Sequence, residues 1–240
     1  MDIAGQHSDG MTWRLEPPWL TLDLRRPRRV LSFAPCNPGF VTARHILWRQ
    51  VRDADLSPGL DAAGWLAARM QARGMGDAVG MMTSRGLQHL RHAACGAVSC
   101  LATVGLGNAE RVGHRRFAPA AYGTINIALL LETGLTEAAM IEALTIAAEA
   151  RTAAVIAANL QLPSGAATGT GTDCIALACD AGRGGYAGLH TAIGASIGRA
   201  VYDTVLAGAR DWMAVHGSHA PKSPFSLQPD IDGGDRAVSK

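Results

Sequence analysis

The chain has 240 residues, 48% of them hydrophobic, which suits one α/β domain or two small ones packed closely. A formal net charge of +2 and only 5% aromatic residues exclude nucleic acid as a partner, since neither electrostatic steering nor base stacking is supplied. Met1 to Gly10 is polar and no apolar run reaches transmembrane length, so no membrane association and a cytoplasmic location are expected.

Residues 1–17 read as a flexible N-terminus. Strands are predicted over 19–24 and 29–34, joined by "RRPRR" as a solvated hairpin turn at Pro27, with anion binding as its alternative. Residues 61–73 carry helical spacing in Trp65, Leu66, Ala68 and Met70, with Gly74 as the C-terminal stop. A short strand at 78–82 precedes a helical stretch holding His89 and His92. Three apart, they share a face, but no third metal ligand accompanies them.

Further strands are predicted at 97–104, 123–132 and 175–179. Thr136 caps a helix running to Leu160, with Ile141, Leu144, Ala148 and Val155 on one face. After a glycine loop at 182–188, a last helix over 190–216 aligns Ile193, Ile197, Val201 and Val205. Its Gly194 and Gly198 admit a close neighbour. Residues 217–240 read as a disordered tail, leaving 18–216 as one domain. Helices and strands mix without strict βαβ alternation, which predicts a layered α/β fold of the α+β type with a mostly antiparallel sheet.

The stretch 167–174, "ATGTGTDC", could be mistaken for a phosphate cradle. Its order argues otherwise, because a helix precedes it, a strand follows it and no lysine adjoins the glycines. Three hydroxyls and a carboxylate fit a polar pocket wall. The five cysteines, an odd number, suit a reducing compartment, and those in strand-like runs read as buried structural thiols.

Polar side chains gather where strands meet loops: Asn37, Asn108, Thr124, Asn126, Thr170, Thr172, Asp173 and His190. Asn126 interrupts an apolar strand, so its amide needs partners if buried. Thr124, Asn126, Thr170, Thr172 and Asp173 are expected to face one cavity. His190 opens the last helix, and a carboxylate such as Asp173 could orient its imidazole as a general acid or base.

"GTINIALLLETGLTEAAMIEALTIAAEARTAA", "ATGTGTDCIALA" and "YAGLHTAIGASIGRAVYDTV" together resemble the adenosylcobinamide amidohydrolase family of corrinoid salvage. "VGMMTSRGLQHL" and "LATVGLGNAERVG" extend the resemblance over about 30–206. Arg151 stands where that family usually has lysine. The resemblance implies hydrolysis of the amide joining a corrin-ring propionate to aminopropanol, giving adenosylcobyric acid, with complete cobamides as further candidates. It implies a corrinoid substrate and no cofactor or metal beyond the substrate's cobalt. Asn37, Asn108, Asn126, Thr170 and Thr172 become substrate-binding candidates. The oligomeric state is left open. A non-catalytic corrinoid-binding or salvage-regulating protein is the second reading.

The order of strand, helix, "GTGTD" and strand is also similar to the self-processing aminopeptidase and ornithine acetyltransferase group. That resemblance implies an αββα sandwich with Thr124 as nucleophile, served by His190 and Asp173.

Overall fold

The computed structural model describes residues 3–6, 11–56, 59–114 and 122–219. In chain order come β1 (Ile3–Gln6), β2 (Thr12–Glu16), β3 (Trp19–Ser32), β4 (Gly39–Gln50), α1 (Ala62–Ala72) and β5 (Val79–Thr83). They are followed by β6 (Arg91–Cys95), β7 (Val98–Val104), β8 (Ala109–Glu110), β9 (Ile125–Leu135) and α2 (Glu137–Ala158). Three two-residue strands come next: β10 (Gln161–Leu162), β11 (Gly165–Ala166) and β12 (Gly169–Thr170). Then come β13 (Cys174–Ala181) and α3 (Ala192–His216).

Nine strands form one sheet, in which β9 and β13 run parallel, as do β4 and β5, while the other pairs are antiparallel. The α/β character and mostly antiparallel sheet match the sequence expectation. Period-two alternation sorts the side chains between layers. Ile127 and Leu129 of β9, with Ile175 and Leu177 of β13, join the core under α2 and α3. Ala128, Leu130, Ala176 and Ala178 point the opposite way and meet Leu22, Ile46, Trp48 and Met81. The sheet thus doubles back on itself, and α1 covers its outer face through Leu66 and Met70 against Leu47 and Ala78. The layers run helix, sheet, sheet, helix.

The bend lies in β3. Its first half pairs with β2 and β4, its second with β4 and β13, and the register shifts between Asp23 and Arg28. "RRPRR" is therefore a bulge inside one long strand, not the predicted hairpin turn, and Arg25 there has φ +67°. A bulge leaves residues unpaired and turns the strand.

The N-terminus also differs from expectation. β1 and β2 extend the sheet from within 1–17, and Trp13 and Leu15 are buried. His89 ends a short 3₁₀ turn and His92 lies in β6, so the two share no helical face. On α2 the buried face is Ala139, Met140, Ala143, Ile146, Ala147, Ala150, Ala154 and Val155, while Ile141 is 52% exposed. Small residues rather than large ones set this face, because they let α2 approach its neighbours closely. Of the expected tail, Ser218 accepts a hydrogen bond from Gln161 N at 3.0 Å, and 220–240 lies outside the described residues. No described helix is long and apolar enough to cross a membrane.

Candidate active site

Parallel pairing of β9 with β13 sets Asn126 beside Cys174, and Thr124 and Thr172 just ahead of both. Here the two sheet layers open into a cleft of about 390 Å³. Met82, Thr83 and Ser84 form one wall, and Asn108, Gly123, Thr124, Asn126, Thr172 and Cys174 the other. Pro35, Val51, Leu56, Ala62 and Tyr122 supply apolar surface. Apolar lining with a few convergent polar groups is the usual make-up of a small-molecule site.

Asn126 holds the two layers together. Its Nδ2 donates to the Met82 carbonyl at 2.6 Å, which satisfies an amide that is 1% exposed. Thr124 is also buried. Its hydroxyl lies 2.7 Å from the Thr172 carbonyl and 3.3 Å from Asn126 Oδ1, and its single proton can serve only one at a time. Thr172 Oγ1 donates to the Gly123 carbonyl at 3.2 Å. Gly123 has no room for a side chain, since a Cβ would lie 2.6 Å from Gly107 N and 2.8 Å from Asn108 N. That close approach brings Asn108 to the cleft wall.

Asp173 fastens this end of the fold. Its carboxylate accepts from Ile125 N and Thr170 N, each at 3.0 Å, from Thr170 Oγ1, and from Arg151 of α2. With the Asp173 side chain 8% exposed and four donors upon it, the carboxylate works as a staple between the starts of β9 and β13. The loop amides are likewise used internally: Thr168 N bonds the Glu110 carbonyl, and Gly171 N the Asn108 carbonyl. The glycine loop thus turns its hydrogen-bonding groups inward, as a wall does, rather than outward to an anion.

Four expectations need correction. His190 is exposed and sits beyond the opposite end of β13, about 26 Å along an eight-residue strand, so it does not meet Asp173 or Thr124. Thr170 turns to Asp173 and lines a separate pocket with Arg151 and Glu110. Asn37 donates to the Gly76 and Ala78 carbonyls, at 2.9 and 2.7 Å, and so braces the entry to β5 instead of lining the cleft. Thr124, Asn126, Thr172 and Asn108 do converge, whereas Asp173, expected to face the same cavity, turns its carboxylate to Ile125 N, Thr170 and Arg151 and does not line the cleft.

From sequence Cys174 reads only as a buried structural thiol and Arg151 only as a departure from the family's lysine; their places in the cleft wall and in the Asp173 staple come from the structure. Burial, with the nearby Asp173 adding to it, pushes the Cys174 thiol up to about 12, so it stands in the cleft as a protonated thiol near neutral pH. Its place beside Asn126 could have been inferred only from the pairing of β9 with β13. Among the described residues no group of three or more His, Cys, Asp or Glu side chains could hold a metal ion.

The chain matches a family model described as adenosylcobinamide amidohydrolase over residues 4–217. It is 32% identical over 143 residues to a protein named adenosylcobinamide amidohydrolase from Halobacterium salinarum, a match covering 55% of this chain and 58% of that one. It is 40% identical over 88 residues to an uncharacterized protein of Methanocaldococcus jannaschii, covering 35% of this chain and 34% of that protein. The matched segments therefore span little more than half of one relative and about a third of the other.

Proposed function

Because the chain belongs to the adenosylcobinamide amidohydrolase family, we propose that its cleft hydrolyses the amide between a corrin-ring propionate and aminopropanol, yielding adenosylcobyric acid. The observation that carries this reading is the Thr124 hydroxyl at the cleft wall, ringed by Asn108, Asn126 and Thr172. At about 390 Å³ the cleft takes the amide-bearing arm, while the much larger corrin ring rests against the rim.

Thr124 Oγ1 attacks the amide carbonyl carbon, and the Asn108 amide donates to the oxygen as it becomes an oxyanion. The C–N bond breaks as the proton lost by Thr124 Oγ1 passes through water at the cleft mouth to the leaving nitrogen, so aminopropanol departs as the neutral amine. Water then hydrolyses the threonyl ester, leaving the carboxylate and the free hydroxyl. Asp173 and Arg151 hold the start of β13 so that Thr172 keeps Thr124 in place. The corrinoid and its cobalt enter as substrate.

The test is incubation with adenosylcobinamide and chromatography of the products. Cobyric acid from wild type, and none from a folded Thr124→Ala variant, supports the reading. Tight corrinoid binding without product would favour the non-catalytic alternative, and undiminished turnover by Thr124→Ala would remove Thr124 as nucleophile.

A further inference from the structure

The "RRPRR" bulge lies at the other mouth of the sandwich. From Asn126 to Glu132 along β9 is six residues, about 20 Å, so this end is remote from the cleft. There a cavity of about 340 Å³ is lined by Arg25, Arg26, Arg28, Ser99 and Glu132, with Gly96 and Ala97 of the β6–β7 turn. Three guanidinium groups face two carboxylates. Arg26 pairs with Asp180 at 2.5 Å, and Arg28 with Glu132 at 3.1 Å and Asp180 at 3.5 Å. Arg25 has no ion pair among the described residues, although its backbone N–H donates to Asp23 Oδ1 at 2.8 Å.

Arg28 is a buried part of this cavity's wall. The Arg28 side chain is 2% exposed, and its Nε is buried without a hydrogen-bond partner. A buried guanidinium N–H normally finds an acceptor. We propose that this cavity is a binding site for a small phosphomonoester, held by the guanidinium groups of Arg25, Arg26 and Arg28 that line it. A phosphate group carries three acceptor oxygens and up to two negative charges, which meets the surplus cation at this mouth. A two-oxygen carboxylate matches this spread of donors less well. The cavity also exceeds a bare phosphate, and the Glu132 carboxylate at its wall accepts from hydroxyls of the organic part.

The proposal does not rest on corrinoid hydrolysis, and its test uses no corrinoid. Inorganic phosphate and glycerol 3-phosphate are titrated against the full chain at constant ionic strength, with chloride as control, by calorimetry and thermal shift. Saturable binding by glycerol 3-phosphate is expected, with hydrogen exchange slowed at 23–29 and 95–99. Arg25→Asn keeps a residue that tolerates the positive φ and removes the charge; affinity should fall at least about tenfold, one guanidinium–phosphate contact being lost. An Arg25→Asn, Arg26→Asn double variant checks the result without touching buried Arg28. Absence of saturable binding, or equal affinity in wild type and folded variants, overturns the proposal.

Discussion

The two ends of the β9–β13 pair differ in chemistry although the same strands build both. At their starts, Thr124, Asn126, Thr172 and Asn108 present neutral hydroxyls and amides, locked by the Asp173 staple. At their far end, Arg26, Arg28, Glu132 and Asp180 form an ion-pair network, and the loop to α3 carries exposed His190. Neutral donors can hold a large amide-fringed ligand without the desolvation cost of buried charge, whereas a charged mouth suits an ionic one. Position along one strand pair therefore separates a neutral hydrogen-bonding end from an ionic one.

The most severe way to break the contrast is at Thr124. Thr124→Ala should lower turnover roughly 10⁴-fold or more while far-UV dichroism stays unchanged, because the neighbours of this proposed nucleophile cannot replace it. Thr124→Ser should retain measurable turnover.

Removal of the staple comes next. Asp173→Ala leaves Arg151 without its carboxylate, and breaking a buried pair typically costs about 3–5 kcal/mol, to be read by urea denaturation. Arg151→Lys should lose far less, and combining Asp173→Ala with Arg151→Ala should cost less than the sum of the two. An additive result would show that the two side chains do not act together.

A smaller loss is expected at the oxyanion side. Asn108→Ala should reduce kcat by about 10²–10³ with stability nearly unchanged, as for a lost transition-state donor. A rise in KM alone would instead make Asn108 a ground-state contact.

At the far end the effects are slight. The hydrogen bond from Arg26, with the positive charge of Arg28, holds the Asp180 carboxyl below its ordinary value of 3.8, against the opposing effect of burial. Stability from a depressed carboxyl is present above that ordinary value and is lost as pH falls through the folded value. Hydrogen exchange near Arg26 and Asp180 should therefore quicken below about pH 4. Asp180→Asn should flatten that dependence. His190→Ala should change turnover by less than about twofold, within the range of an exposed site remote from the chemistry; a large loss would bring the two ends together functionally.

Much of this was legible in the order of residues. The strands at 79–83, 98–104 and 174–181 follow from short apolar runs, and Thr136 caps α2 as its place before the helical pattern predicts. Asn126 announced itself as an amide inside an apolar strand. His190 misled because nearness to a glycine loop says nothing about which end of a strand that loop occupies. "RRPRR" misled because proline and like charges mark a turn and a bulge equally well. The face of α2 misled because apolar residues surround that helix, so periodicity could not select the side that packs.

Sequence alone determined the α/β class, most elements, the family and the hydroxyl-rich wall, all of which depend on local pattern and residue type. Tertiary structure decided that Asp173 meets Arg151 and not His190, that Asn126 bridges to Met82, and that Cys174 enters the cleft. Those outcomes depend on the parallel register of β9 with β13 and on the fold-over of β3. Such long-range pairings follow from burying whole sheet faces together, which no local run of residues encodes.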